Sequence, residues 1–149
     1  MILREKCRKM KAKIYSVFDH TADLGIDVFG ETQADLFSHA ALALFDLMVD
    51  ATGMQTTQSR EIVIEGADRT DLFVNFLREI LYLFNGEGFV LAACRVGRID
   101  DQKLTAEISG GRYDARRHRV RTEIKAVTYH QAAVVQTAGG WQGRIVFDV

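Results

Sequence analysis

Proline is absent from all 149 residues, and no stretch is low in complexity, so nothing in the chain reads as a linker between domains. Cysteine is scarce. Cys7 and Cys94 are the only two, and Cys7 lies in a basic terminal segment, so the chain has no disulfide framework and no CxxC pair. A reducing cytoplasm is the compartment this suits. No apolar run approaches the roughly 20 residues needed to cross a bilayer. Neither sign of charge prevails: a net charge of -1 and a pI near 6.4 give no global pull towards nucleic acid or acidic membranes. A glycine-rich phosphate loop, paired Cys or His at zinc spacing, and a nucleophile with a recognisable base are missing as well.

What remains is the composition of an ordinary soluble globule, 48% hydrophobic and 26% charged. At this length one domain should form and bury roughly 68–70% of the unfolded surface. Met1–Lys13 stands apart, with Arg4, Lys6, Arg8, Lys9, Lys11 and Lys13 against Glu5 alone. No apolar h-region follows, so it is not a signal peptide. It is expected to be a disordered, solvated tail rather than a nucleic-acid arm, and Met10 offers an alternative start. The domain proper is then 14–149.

Ile14–Phe18 is short and apolar, and Leu24, Ile26 and Val28 alternate with Gly25, Asp27 and Phe29, which predicts two strands before the break at Gly30. Thr32 and Asp35 resemble a capping box. Leu36, Ala40, Leu44 and Met48, widened by Phe37, Ala41 and Phe45, make a helical stripe ending around Asp50–Gly53. Arg60–Gly66 reads as a strand. A second helix starts at Asp68 or Thr70, carries Leu72, Phe73, Phe76, Leu77, Ile80, Leu81 and Phe84, and stops at Gly86 and Gly88. Phe89–Ile99 with Leu104–Ser109, turning at Asp100-Asp101, and Glu123–Gln136 with Trp141–Val149, turning at Gly139-Gly140, read as hairpins. No internal repeat is claimed. This order predicts an α+β domain: a largely antiparallel sheet with two main helices on one face. The strand feeding the first helix and the last strand would be neighbours, bringing Asp23 towards Asp148.

Those two residues belong to the most informative segments. Asp19-His20-Thr21-Ala22-Asp23-Leu24-Gly25 holds two carboxylates, an imidazole and a hydroxyl within five residues. Asp148-Val149 adds another carboxylate beside the terminal one. Carboxylates gathered from opposite ends of a fold suit hard cations such as Mg²⁺, Mn²⁺ and Ca²⁺. On residue type alone, Asp23 equally suits a turn, His20 a satisfied structural role, Asp19 a bond to a nearby amide, and Lys125 a solvent-facing strand position.

From Tyr15 to Val149 the chain resembles the archease family. The marks are Asp19–Gly25, the Ala-rich helix Ala40–Asp50, the run Leu77–Phe84, the segment Glu123-Ile124-Lys125-Ala126-Val127-Thr128-Tyr129-His130, and Phe147-Asp148-Val149. Members are accessory factors of the RtcB-type RNA ligase, which joins RNA ends in tRNA splicing and RNA repair by guanylylating its own histidine with a metal and GTP. They speed guanylylation and restore multiple turnover without being ligases themselves. The resemblance therefore implies no catalytic residue here. It implies a divalent cation (Ca, Mg or Mn) at Asp23 and Asp148, with Val149 adjoining. It also implies a partner or nucleotide contact at Lys125, with Asp19, His20 and His130 as weaker candidates. RNA would be met through the ligase, and Arg112–Arg121, the densest basic run, is either a further phosphate contact or a solvated loop. Two other readings stay open: a free-standing metal-dependent phosphoester hydrolase built on Asp19, His20, Asp23 and Asp148, and a chaperone-like modulator of an RNA-modifying enzyme.

Overall fold

Each helix begins at a side chain that accepts the third helical amide. In the computed structural model, Thr32 Oγ1 accepts from the Asp35 amide at 3.0 Å and opens α1 (Gln33–Met48). Asp68 Oδ1 accepts from the Asp71 amide at 2.8 Å and opens α2 (Arg69–Glu87). Gly88, at φ 68°, closes α2 in the left-handed conformation that costs a residue without a Cβ least. The description covers residues 14–20 and 23–149, with Asp19 and His20 described by backbone alone. The basic segment Met1–Lys13 and Thr21-Ala22 lie outside it.

Among the described residues nine strands accompany the helices: β1 (Tyr15–His20), β2 (Asp23–Gly30), β3 (Val49–Asp50), β4 (Gln58–Glu65), β5 (Phe89–Ile99), β6 (Lys103–Arg112), β7 (Arg119–Val120), β8 (Ala126–Thr137) and β9 (Gly140–Asp148). All pairings are antiparallel, as expected of this α+β domain. The strands are shared between a four-stranded sheet, β1-β2-β9-β8, a three-stranded sheet, β4-β6-β5, and the short pair β3-β7. The helices pack against both larger sheets over one core. The anticipated stripe of α1 is buried from Leu36 to Met48, and Phe37, Phe73 and Phe76 are fully buried with it. Truncating such an aromatic to alanine costs about 3–5 kcal/mol.

A short repeat, missed in the sequence, governs that core. Gly30-Glu31-Thr32-Gln33-Ala34-Asp35-Leu36-Phe37 leads into α1, and Gly66-Ala67-Asp68-Arg69-Thr70-Asp71-Leu72-Phe73 leads into α2. A Cβ on Gly30 would lie 2.4 Å from the Leu36 amide nitrogen, and one on Gly66 2.5 Å from that of Leu72. Both strand-to-helix turns thus close on a bare glycine. The equivalent rings of Phe37 and Phe73 meet edge to face, centroids 5.0 Å apart.

The four-stranded sheet presents two unlike faces. Ile26 and Val28 of β2, with Ile145 and Phe147 of β9, point into the shared core. The alternate residues, Asp23, Gly25, Asp27 and Phe29 with Gln142, Arg144, Val146 and Asp148, share the opposite face. Gly25 is bare there because the Phe18 ring lies across it, within 2.2 Å of where a Cβ would be.

Candidate functional site

β2 lies between β1 and β9, so Asp23 has a register partner on each side: His20 in β1 and Asp148 in β9. Asp148 is in turn opposite Ala126 of β8. One row across four strands therefore runs His20, Asp23, Asp148, Ala126, at the end of the sheet where β9 finishes. Directly opposed residues carry their Cβ atoms roughly 4.5–5.5 Å apart. The expectation that Asp23 and Asp148 become neighbours holds. Asp23 is partly buried and Asp148 exposed.

Lys125 joins this row through its backbone. It falls one residue before β8, not within a strand, and its amide donates to the Asp148 carbonyl at 2.8 Å. Its side chain is exposed, as is Val149. Hence Lys125, Asp148, Val149 and Asp23 gather at one sheet end. His130 stands elsewhere along β8. Between the pairs Thr128–Val146 and Ala133–Arg144, the residues Tyr129 to Ala132 oppose Ile145 alone, a wide irregularity that also interrupts the regular strand expected over Glu123–Gln136. Gln131 sits in it at φ 57°, a conformation few side chains adopt. The side chains of Asp19 and His20 lie outside the described residues.

Two carboxylates facing one another repel, and among the described residues neither Asp23 nor Asp148 has an ion-pair partner. No group of three His, Cys, Asp or Glu side chains is placed to hold a metal among those residues either. Among the described side chains the row offers two carboxylates, beside main-chain oxygens. That donor set fits a hard, oxygen-seeking cation.

The basic run is partly spent on structure. Arg121 reaches Asp46 and Asp50, each at 3.5 Å, and Arg117 lies 3.9 Å from Asp114. His118 is buried, its Nδ1 accepting from the Asp114 amide at 2.9 Å, while Arg112, Arg116 and Arg119 are exposed. This run pairs through β7 with β3, away from the strands carrying Asp23 and Asp148. Nearby, a cleft of about 430 Å³ is lined by Tyr15, Phe45, Asp46, Asp50, Leu91 and Arg121 among others, but by none of Asp23, Lys125, Asp148 or Val149. Burial and the hydrogen bond to Asp46 push the Tyr15 phenol up, and burial pushes the Cys94 thiol up to about 11.

Sequence reasoning missed the polar contacts that hold the site's surroundings. Arg144 Nε and Nη2 donate to the two oxygens of Asp27 at 2.7 and 2.9 Å, and its guanidinium lies 4.6 Å from the centre of the Phe18 ring. The alternation in β2 and β9 carried the signal, since only the register makes Asp27 and Arg144 partners. Tyr129 donates to Asp71 under the Arg78 guanidinium, and no local pattern announces that pair.

The model of the archease protein family (MTH1598/TM1083) matches residues 15–149. The chain belongs to the archease family. It is 36% identical over 143 residues to protein archease of Methanosarcina barkeri, covering 93% of this chain and 98% of that one. Protein archease of Pyrococcus abyssi is 33% identical over 142 residues, covering 92% and 99%. Among solved structures, the solution structure of Methanobacterium thermoautotrophicum protein 1598 superposes with a TM-score of 0.77 at 29% identity, covering 92% of this chain and 99% of that one. The archease fold thus accounts for everything from Tyr15 onward. No helix among the described residues is long and apolar enough to cross a membrane.

Proposed function

We propose that this archease is a non-catalytic, cation-dependent activator of an RtcB-type RNA ligase, acting in tRNA splicing and RNA repair by promoting guanylylation and multiple turnover. The observation that carries the reading is the opposition of Asp23 and Asp148, with Lys125 bonded to the same strand end. Like charges placed opposite one another in a sheet destabilise it, so their presence calls for a compensating cation. Asp23 and Asp148 would hold that cation through their carboxylates, and Val149 would add a main-chain oxygen. A bound divalent cation supplies Lewis-acid stabilisation of phosphoryl oxygens.

The chain's own contribution is placement. Asp23 is fixed between two strands, and Asp148 by β2 on one side and the Lys125 amide on the other. The Lys125 ammonium, free to reach outward, meets a phosphate of the nucleotide or a carboxylate of the ligase. Holding reacting groups in position lowers a barrier without any bond being made to the activator. RNA then meets the complex through the ligase, in the cytoplasm. Single-turnover guanylylation of the cognate ligase, with and without this protein, is the test. Acceleration that needs Mn²⁺, Mg²⁺ or Ca²⁺ and disappears in Asp23→Ala and Asp148→Ala is expected, the double variant being little worse than either. Equal rates at saturating protein would overturn the proposal, and turnover of phosphoesters by the protein alone would replace it with a hydrolase.

A further inference from the structure

Three polar residues of α2 recur every seven positions: Asp71, Arg78 and Asn85. Seven residues are close to two helical turns, so the three form one line along the helix. Each bonds to the stretch around Lys125. Asn85 Nδ2 donates to the Ile124 carbonyl at 3.0 Å. Arg78 donates to the Val127 carbonyl through Nε at 3.3 Å and Nη2 at 3.2 Å. Asp71 Oδ1 accepts from the Tyr129 hydroxyl, and the Arg78 guanidinium lies 4.7 Å from the centre of the Tyr129 ring. Among the described residues β8 is an edge strand whose only partner is β9. The α2 side chains therefore take the outward carbonyls on either side of Lys125 that no strand reaches.

The repeat within the molecule shows that this line is not a by-product of helix packing. Counting from the shared Asp-Leu-Phe, the equivalents of Asp71, Arg78 and Asn85 in the first unit are Asp35, Leu42 and Val49. The first helix bears Leu42 where the second bears a guanidinium, and Val49, just past the end of the first helix in β3, stands where the second bears an amide. Only the copy facing Lys125 carries the donors. An arginine and an asparagine at those places stabilise α2 no better than leucine would, so their use lies in what they bind.

We infer that Asp71, Arg78 and Asn85 are positioning residues, which hold the segment from Ile124 to Tyr129 and so fix Lys125 beside Asp148. The inference rests on the proposed role of Lys125 as the group that meets the ligase or its nucleotide. With both flanking carbonyls pinned and the Lys125 amide bound to Asp148, the exposed side chain starts from a fixed backbone while its ammonium stays free. Asp71 also accepts from the Ala67 amide at 2.8 Å, so it caps α2 as well. Tyr129→Phe, which removes only the hydroxyl, is for that reason a cleaner probe than any change at Asp71.

Amide hydrogen exchange of the full chain, read residue by residue by NMR, tests the inference with no ligase present. In Arg78→Lys, Asn85→Ala and Tyr129→Phe the Lys125 amide should exchange about tenfold faster, the effect of weakening one or two hydrogen bonds, while Ile26 and Ile145 keep their protection. Lysine keeps the charge of Arg78 but not its fork, and Asn85 is exposed, so these variants remain folded. With the ligase, each variant should lose stimulation as Lys125→Ala does while Mn²⁺ affinity stays the same. Adding Arg78→Lys to Lys125→Ala should bring no further loss. Unchanged exchange at Lys125, or losses that multiply in the double variant, would overturn the inference. If the wild-type chain fails to stimulate the ligase, the functional proposal falls, whereas the exchange result still decides whether α2 fixes Lys125.

Discussion

Two rows of the same two strands place an aspartate of β2 opposite a charged residue of β9 on the same face. In one, Asp27 meets Arg144 in a two-bond fork, with the guanidinium lying over the Phe18 ring. In the other, four residues along, Asp23 meets Asp148. The first row is complete in itself, each charge neutralised. The second has two acceptors and no donor among the described residues, at the sheet end rather than its middle. A sheet that neutralises one row so fully and leaves another with like charges opposed separates a structural pair from a binding pair. The distinction is chemical, since both rows share strands, face and register.

Exchanging the two patterns gives the largest expected effect. Asp148→Arg would convert the second row into a copy of the first, with a fork for Asp23 and nothing left for a cation. Titration with Mn²⁺, followed by calorimetry, should show affinity reduced by well over the roughly 10–100-fold that even outer-shell changes bring to metal sites. The fold and its thermal midpoint should be preserved. Undiminished affinity would mean that the cation sits elsewhere. Arg144→Ala acts in the other direction and more mildly. It strands Asp27, whose side chain is only 15% exposed, and uncovers Phe18, so the thermal midpoint should fall while cation affinity stays put. Asp27→Asn with Arg144→Met should recover part of that loss, because removing both partners leaves no unpaired charge.

The chain's periodicities carried most of the fold. Both helices, the cap at Thr32, a second start at Asp68 or Thr70, a stop at Gly86 and Gly88 and the two late hairpins follow from side-chain spacing and turn residues, which act locally. The division into two main sheets did not, because it depends on which strand edges meet, and edges carry no local label. The start of β8 was misjudged for a related reason. Glu123-Ile124-Lys125 alternates like a strand, but the Ile124 carbonyl is satisfied by Asn85, a residue whose spacing by seven from Arg78 is meaningless until the helix is docked. At the site, Asp23 and Asp148 could be named from chemistry and the family resemblance, and the order of elements already made β2 and β9 neighbours. Their opposition in register could not be read, since a shift of one residue would have put them on different faces.

The smallest effect bears most directly on the comparison. Without metal, the Asp23–Asp148 row should be mildly unfavourable, because two carboxylates stand opposite one another. Asp23→Asn removes one charge and keeps the shape. Relief of a like-charge cross-strand pair is worth roughly 0.2–1 kcal/mol, so the metal-free variant should be slightly more stable than the parent in urea unfolding. The same substitution four residues along, Asp27→Asn, should lower stability, because it weakens the fork to Arg144. Excess Mn²⁺ should then reverse the order at the Asp23–Asp148 row only, since ligand binding stabilises the parent and no longer the variant. Opposite signs for Asp23→Asn and Asp27→Asn in the absence of metal are the decisive pattern. If both lower stability alike, Asp23 is a structural aspartate like Asp27, and the cation reading of the row fails.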